Sequence, residues 1–271
     1  MAKRGVYRHL KRLNAPHKWL LSKVGGIYAT KPSQGPHKLR SCMPLVVLLR
    51  NKLKLALNAR EAKLIVKAKE GNIAVDGKVR KDPKFPIGCM DVVSLLKANI
   101  NYRVLYDAKG RFGLVKIDKN EAQFKLCKVK NRLMGPKKIP YIITDDGRTL
   151  RYPKPEIKKY DTIKLNLENN QIEGVFKYKI GAQVIIDGGN NIGRVGEIVN
   201  IEKHPGSYEI VHIKDLAGKI FNTKLSNLFV IGDKKPEIKL LKNGHTRLNI
   251  NDEKKLKHPK KEKDEAEEEQ Q

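Results

Sequence analysis

No acidic residue occurs in this chain before Glu61. Fourteen Lys and Arg precede it, so half of the net charge of +28 lies in the first 60 of 271 residues. Long apolar runs are missing too. No segment approaches the roughly 20 apolar residues of a membrane helix, and the charged N-terminus lacks the apolar core of a signal peptide. Cysteine is scarce: Cys42, Cys89 and Cys127 are odd in number and far apart. That argues against a disulfide framework and fits a reducing compartment. There is no Cys-x-x-Cys, and the seven His residues are scattered without helical ligand spacing. A metal site therefore has no visible ligand set, and no cysteine has a neighbouring His for nucleophilic catalysis. The expectation is a soluble intracellular protein that is not an enzyme and carries no metal or cofactor.

What is present is positive charge, 57 Lys and Arg against 29 Asp and Glu. A field of that kind attracts polyanions. Charge alone fits a membrane surface, a heparin-like polymer or nucleic acid. The length is enough for two or three small domains with cores of their own.

Residues 1–41 carry Lys3, Arg4, Arg8, Lys11, Arg12, Lys38 and Arg40, with Pro and Gly breaking a thin apolar pattern. They read either as a disordered basic tail or as an extended arm that orders on RNA. Trp19, the only tryptophan, suits a packing anchor better than a base-stacking residue.

Residues 42–94 are expected to form two helices and a hairpin. Leu45, Leu48, Leu49, Leu53, Ala56 and Leu57 share one helical stripe. Arg50 and Lys54 lie opposite, and Lys52 falls at the stripe edge, where it must snorkel or the helix must bend. Asn58 and Glu61 have capping-box spacing for a second helix. Ala62, Ile65 and Val66 would face inward, and Arg60, Lys63 and Lys67 would form a basic outer face. Gly71 suits the helix exit. An Asp76-Gly77 turn would join Ile73–Val75 to Lys78-Val79 and place Lys78 opposite Val75.

Residues 95–178 read as short strands at close spacing, a small open barrel or sandwich. Turns are expected at Lys109-Gly110, Asp146-Gly147 and Asn169-Asn170, and a helical turn over Glu121–Lys125. Lys125–Lys130 alternates with period two. Asp145-Asp146 has a plain explanation as turn residues, and so does Asp187 before Gly188. Residues 179–232 form a further β unit around the loop Asp187-Gly188-Gly189-Asn190-Asn191-Ile192-Gly193-Arg194. Glycines there would let the backbone approach a sugar-phosphate chain, with Asn190, Asn191 and Arg194 reaching phosphate or base edges. A plain hairpin turn with no contacts is the alternative. Gly188 and Gly193 have the spacing of a phosphate-cradling loop, but Arg194-Val195 follow where Lys and Ser or Thr are required. Residues 233–271 form a C-terminal extension. Leu240-Leu241 would dock before a charged tail with six Lys and eight Asp and Glu after position 251.

These segments carry resemblances. Arg60-Glu61-Ala62, Gly71-Asn72-Ile73-Ala74-Val75-Asp76-Gly77-Lys78-Val79, Pro83 and Gly88 resemble the S-four RNA-binding module, although Cys89 and Met90 separate Gly88 from Asp91 where the module has Gly-Asp. Gly181, Val184, Gly188, Gly193, Gly196 and Val199 resemble the KOW motif of ribosomal proteins and elongation factors. Gly35–Arg40, Tyr106–Phe112, His204–Tyr208 and Leu225–Gly232 are similar, in order, to the eukaryotic and archaeal type of small-subunit ribosomal protein S-four, the S-four-E family. That resemblance implies a structural component of the small ribosomal subunit. It would bind small-subunit rRNA, touch neighbouring ribosomal proteins and work in the cytoplasm, with a nucleolar stage during assembly if eukaryotic. It also implies an α+β fold: an S-four-like module, a mostly-β barrel-like middle region, an SH3-like KOW unit and the arm. Two rivals stand beside it. An RNA-modifying enzyme with an S-four module would need a catalytic Asp in a large α/β domain, and residues 95–232 read as strands. A transcription or RNA-remodelling factor would use the KOW-like hairpin alone.

Overall fold

The structure, a computed structural model, describes residues 8–242, 244–248 and 250–257. It is mostly β with few helices. Three five-stranded antiparallel sheets dominate.

The first sheet begins with the Asp76-Gly77 hairpin, in which Val75 lies opposite Lys78 as the two-residue turn requires. Both turn residues take left-handed φ, 52° and 75°, the signature of a type I′ turn. Ile73–Val75 then pairs with Val92–Leu95, and the sheet continues through Ile100–Tyr106 and Phe112–Ile117. Position 95 therefore lies inside a paired strand. The turn at Lys109-Gly110 joins the last two strands, as expected.

The helix Ala59–Lys67 has its capping box in place: the Glu61 carboxylate accepts from the Asn58 backbone N–H, and the Asn58 side chain accepts from the N–H of Glu61. A cap of this kind contributes about 1 kcal/mol. Ala62 and Val66 are buried beneath it. The preceding helix is shorter than its apolar stripe predicts. A single turn, Leu45–Val47, passes into a π-helical stretch, Leu48–Lys52, and ends. The Leu53 N–H donates to the Leu48 carbonyl, five residues back. Past the widened turn Leu53 and Ala56 still pack on the core, but the last residue of the stripe turns outward. Leu57 is 85% exposed. Of the two ways to accommodate Lys52, the backbone takes the change.

The middle sheet runs in the order Thr149–Arg151, Pro140–Thr144, Phe124–Met134, Thr162–Asn166, Ile172–Phe176. Its Asp146-Gly147 and Asn169-Asn170 turns stand where the sequence places them. The helical turn is Lys119–Ala122, earlier than Glu121–Lys125, because Phe124 already belongs to the central strand. That strand is not half-buried: Lys125, Leu126, Cys127, Lys128 and Val129 are all buried. Period two in the sequence marks two covered faces here, not one wet and one dry.

The last sheet has the order Ile220–Lys224, Ile210–Asp215, Val195–Glu202, Gln183–Ile186, Leu228–Gly232. A shared apolar cluster joins the three sheets, with Leu105 from the first and Met90 from the turn that leads into it, Leu126 from the middle, and Ile185, Val195, Phe229 and Ile231 from the last. Ile238 completes it from the C-terminal extension, with Leu240 and Leu241 packed alongside, so that extension docks as expected.

Residues 8–41 lie folded against the first sheet. Leu10–Lys11 pairs with Tyr28–Ala29. Trp19 is fully buried, and its Nε1–H donates to the Cys42 carbonyl at 2.6 Å. Packing is thus its role.

Candidate nucleic-acid interface

The helix Ala59–Lys67 presents Arg60, Lys63 and Lys67 to solvent, opposite its buried Ala62 and Val66. None of the three meets a carboxylate among the described residues. Lys54 stands just beyond the π-helical turn, exposed and with φ of 55°. Arg50 is half-buried, its Nε donating to Asn51 Oδ1 at 2.8 Å. Lys52 is half-buried, and burial followed by repulsion from Arg111 lowers its pKa.

In the N-terminal segment, Arg8, Lys11, Lys38 and Arg40 are exposed. Arg12 bends back to donate to the Ser22 carbonyl. Lys3 and Arg4 lie outside the described residues. Lys18 stacks 4.3 Å from the centre of the Tyr106 ring, where burial lowers its pKa.

The glycine loop is wedged between the last and first sheets. Ile192 is buried in the first core cluster. A Cβ on Gly193 would fall 2.0 Å from the Asp107 carbonyl oxygen, and the Gly193 carbonyl lies 2.7 Å from His245 Nδ1. At this glycine the close approach is to the protein's own backbone and not to a sugar-phosphate chain. Arg194 also differs from expectation. Its guanidinium is buried, donates to Asp215 Oδ2 at 2.8 Å, and stacks 3.7 Å from the Phe221 ring centre. Its charge is satisfied within the fold. Asn191 braces the loop, accepting from Arg194 and donating to the Asn222 carbonyl. Asn190, at the apex, is exposed.

The sequence reading missed a buried ionic cluster between the first and middle sheets. Lys125 Nζ lies 2.8, 2.5 and 3.2 Å from Asp76, Asp91 and Asp146. Arg148 adds contacts to Asp76 and Asp146, and His37 Nε2 lies 2.9 Å from Asp91. Burial works against every charge here. The carboxylates outweigh it for Lys125, whose pKa is raised well above its ordinary value. Lys125 and His37 outweigh it for Asp91, which is lowered. Five segments are tied at this point: the N-terminal arm, the Asp76-Gly77 turn, the Gly88–Asp91 turn, the central strand and the Asp146-Gly147 turn. The split Gly88–Asp91 pair is rejoined here, because the Gly88 N–H donates to Asp91 Oδ2 at 2.8 Å. The one available signal was parity: Lys125 shares a strand face with Cys127 and Val129.

Solvent-facing cations thus surround the first helices and the arm, while buried charge is neutralised internally. A cationic surface over several small sheets is the chemistry that attracts a polyanion. Comparison with known proteins agrees. Three family models match in chain order: the RS4NT (NUC023) domain over residues 4–40, ribosomal family S4e over 98–172, and the 40S ribosomal protein S4 C-terminus over 215–261. The small ribosomal subunit protein eS4A of Schizosaccharomyces pombe is 54% identical over 251 residues, 92% of this chain and 95% of the relative. The eS4 protein of Tetrahymena thermophila is 52% identical over 255 residues, 94% and 98% of the two chains. The crystal structure of the 30S ribosomal protein S4e from Thermoplasma acidophilum superposes with a TM-score of 0.61 at 30% identity, covering 71% of this chain and 96% of that one. The chain belongs to the S4e family of small ribosomal subunit proteins, of the eukaryotic type. It is a structural ribosomal protein and not an enzyme, it works in the cytoplasm, and neither rival reading is supported.

Proposed function

We propose that this structural constituent of the small subunit grips small-subunit rRNA mainly through the basic face of its S-four-like module, residues 42–94. The observation that carries this reading is the triad Arg60, Lys63 and Lys67, three exposed cations on one rigid helix face without carboxylate partners. Arg50 and Lys54 extend the face. Lys3, Arg4, Arg8, Lys11, Arg12, Lys38 and Arg40 of the arm, residues 1–41, continue it along phosphates. The SH3-like KOW unit, residues 179–232, contributes Asn190 at the loop apex, with Asn191 and Arg194 holding the loop from beneath. Between them the strand-rich region, 95–178, sets the spacing, and Ile238, Leu240 and Leu241 of the extension, 233–271, close the core.

Phosphate neutralisation with counterion release supplies most of the affinity. Rigid placement of the cations supplies shape recognition, which for RNA helices and junctions outweighs groove reading. Changing Arg60, Lys63 and Lys67 together to Glu is expected to weaken binding to purified small-subunit rRNA and to block incorporation into subunits on sucrose gradients. Unchanged binding and incorporation would remove this face from the interface.

A further inference from the structure

Three residues of one sheet end hold backbone conformations that L side chains avoid. Lys137 and Lys138 have φ of 59° and 57°, and Tyr152 has φ of 51°. They are neighbours in space. Lys137 and Lys138 form the tip between paired Met134 and Pro140, and the Tyr152 N–H donates to the Pro140 carbonyl at 3.0 Å. Left-handed φ is disfavoured for lysine and more so for tyrosine. Glycine or asparagine would take these positions at less cost. Strain of this kind clusters where a site is held for binding.

Among the described residues the side chains of Met134, Lys137, Lys138 and Tyr152 make no hydrogen bond, ion pair or ring contact, while Arg132 donates to the Pro155 carbonyl. Tyr152 is 71% exposed and Met134 69% exposed, and no ring of the described residues stacks on Tyr152. Lys137 and Lys138 are exposed and meet no carboxylate among the described residues. The surroundings are of one sign. No acidic residue occurs between Glu121 and Asp145, or between Arg148 and Pro155. Arg132 and Arg151 are exposed on the strands that lead to this tip.

We propose that this end of the middle sheet is a second, separate RNA contact, which takes a single-stranded segment. Lys137 and Lys138 hold adjacent phosphates, and an unpaired base stacks on the Tyr152 ring with Met134 at its side. Charge complementarity selects the polyanion, and a free aromatic face beside paired cations selects a nucleotide whose base is not already stacked. The inference rests on the rRNA-binding reading and adds a site outside the helical module.

The test uses the full chain and deproteinised small-subunit rRNA, with thermal unfolding measured in parallel. Two variants are made, Tyr152→Gly and Lys137→Gly with Lys138→Gly. Each removes the functional group and relieves the left-handed strain. Binding and stability should therefore move in opposite directions. Tyr152→Gly should weaken rRNA binding about 5- to 150-fold, the range for one base stack. The double lysine variant should lower the slope of log affinity against log salt by about 1.4 to 1.8, the range for two phosphates. Neither variant should melt below the wild type. If both variants bind like wild type while the Arg60, Lys63 and Lys67 reversal abolishes binding, the tip is no RNA contact and the helix-face reading stands. A lowered melting temperature would overturn the proposal as well, because the left-handed residues would then serve the fold. Normal rRNA binding with failed entry into subunits would assign the tip to a neighbouring protein instead. If wild-type protein bound no rRNA, both readings would fall together.

Discussion

Lys125 Nζ lies 2.5 Å from Asp91 Oδ1, and both side chains are almost wholly removed from solvent. The pair joins the central strand of the middle sheet to the start of a strand in the first. Asp76 and Asp146 approach the same ammonium from two hairpin turns. A buried ion pair adds little net stability over an apolar pair of equal volume, but losing one partner strands the other. Lys125→Met would leave three converging carboxylates with Arg148 as their remaining permanent cation. The expected loss is about 3–5 kcal/mol. Buried Trp19, the sole tryptophan, offers a fluorescence signal for a urea titration. An unfolding midpoint equal to that of wild type would show that the cluster is not structural.

His37 supplies the missing charge. Asp76, Asp91 and Asp146 face Lys125 and Arg148, so a protonated imidazole beside Asp91 balances the group. Burial lowers the His37 pKa, but the charge and hydrogen bond of Asp91 outweigh it and the net shift is upward. A histidine raised in the folded state stabilises fully below its unfolded pKa of about 6.5 and loses that contribution as pH rises through the folded value. Wild-type stability should therefore decline from about pH 6.5 upward. His37→Gln should cost about 1.5–3 kcal/mol at pH 6, the range for a hydrogen bond to a charged group, and should flatten the decline. A pH profile parallel to wild type would refute the assignment.

Gly88 makes room for that histidine. A Cβ there would stand 2.4 Å from Cγ and Nδ1 of the His37 ring. The ring is rigid and held by Asp91, so Gly88→Ala should displace the arm and cost about 1–3 kcal/mol. In a His37→Ala background the same change should cost little. A double-mutant cycle measures the difference, and full additivity would mean that the two sites do not touch in solution.

Local structure was legible where it depends on neighbours in sequence. The Asn58–Glu61 capping box, the Asp76-Gly77 turn with its Val75–Lys78 register, and the Asp146-Gly147 and Asn169-Asn170 turns all follow from short-range rules. Features that depend on what covers a strand were not legible. Lys125 and Lys128 point to opposite faces of the central strand, and the fold buries both. Lys128 Nζ reaches the Ser226 carbonyl at 2.5 Å, 98 residues away, a contact that no local window contains. Asp146 was explained by its turn alone, and Arg194 by its glycine loop alone. Their partners, Lys125 and Asp215, come from other strands. The exposed cations Arg60, Lys63 and Lys67 were legible because a helix whose other face is apolar has only one direction in which to point them.

Asp187 provides the last prediction, because its charge is unfavourable in the folded chain. Burial, followed by the nearby charge of Asp145, raises its pKa to about 6, while Lys128 and Lys18 oppose the shift incompletely. Its backbone N–H donates to the Asn227 carbonyl at 3.0 Å, which holds the carboxyl at the root of the glycine loop. A carboxyl raised in the folded state binds more protons there than in the unfolded chain between about pH 4 and 6. Stability should fall as pH rises through that window, and the penalty is complete above it. Asp187→Asn removes the charge and keeps the shape. The full shift corresponds to roughly 3 kcal/mol, and partial exposure of the residue reduces this to about 1–2 kcal/mol of stabilisation at pH 7. The gain should vanish below about pH 4, where both forms are neutral. Urea titrations at pH 4 and pH 7 separate this from a simple packing effect, which would be the same at both. A gain present equally at the two values would be a packing effect, and a loss at pH 7 would mean that the Asp187 carboxylate is stabilised in place by Lys128 and Lys18.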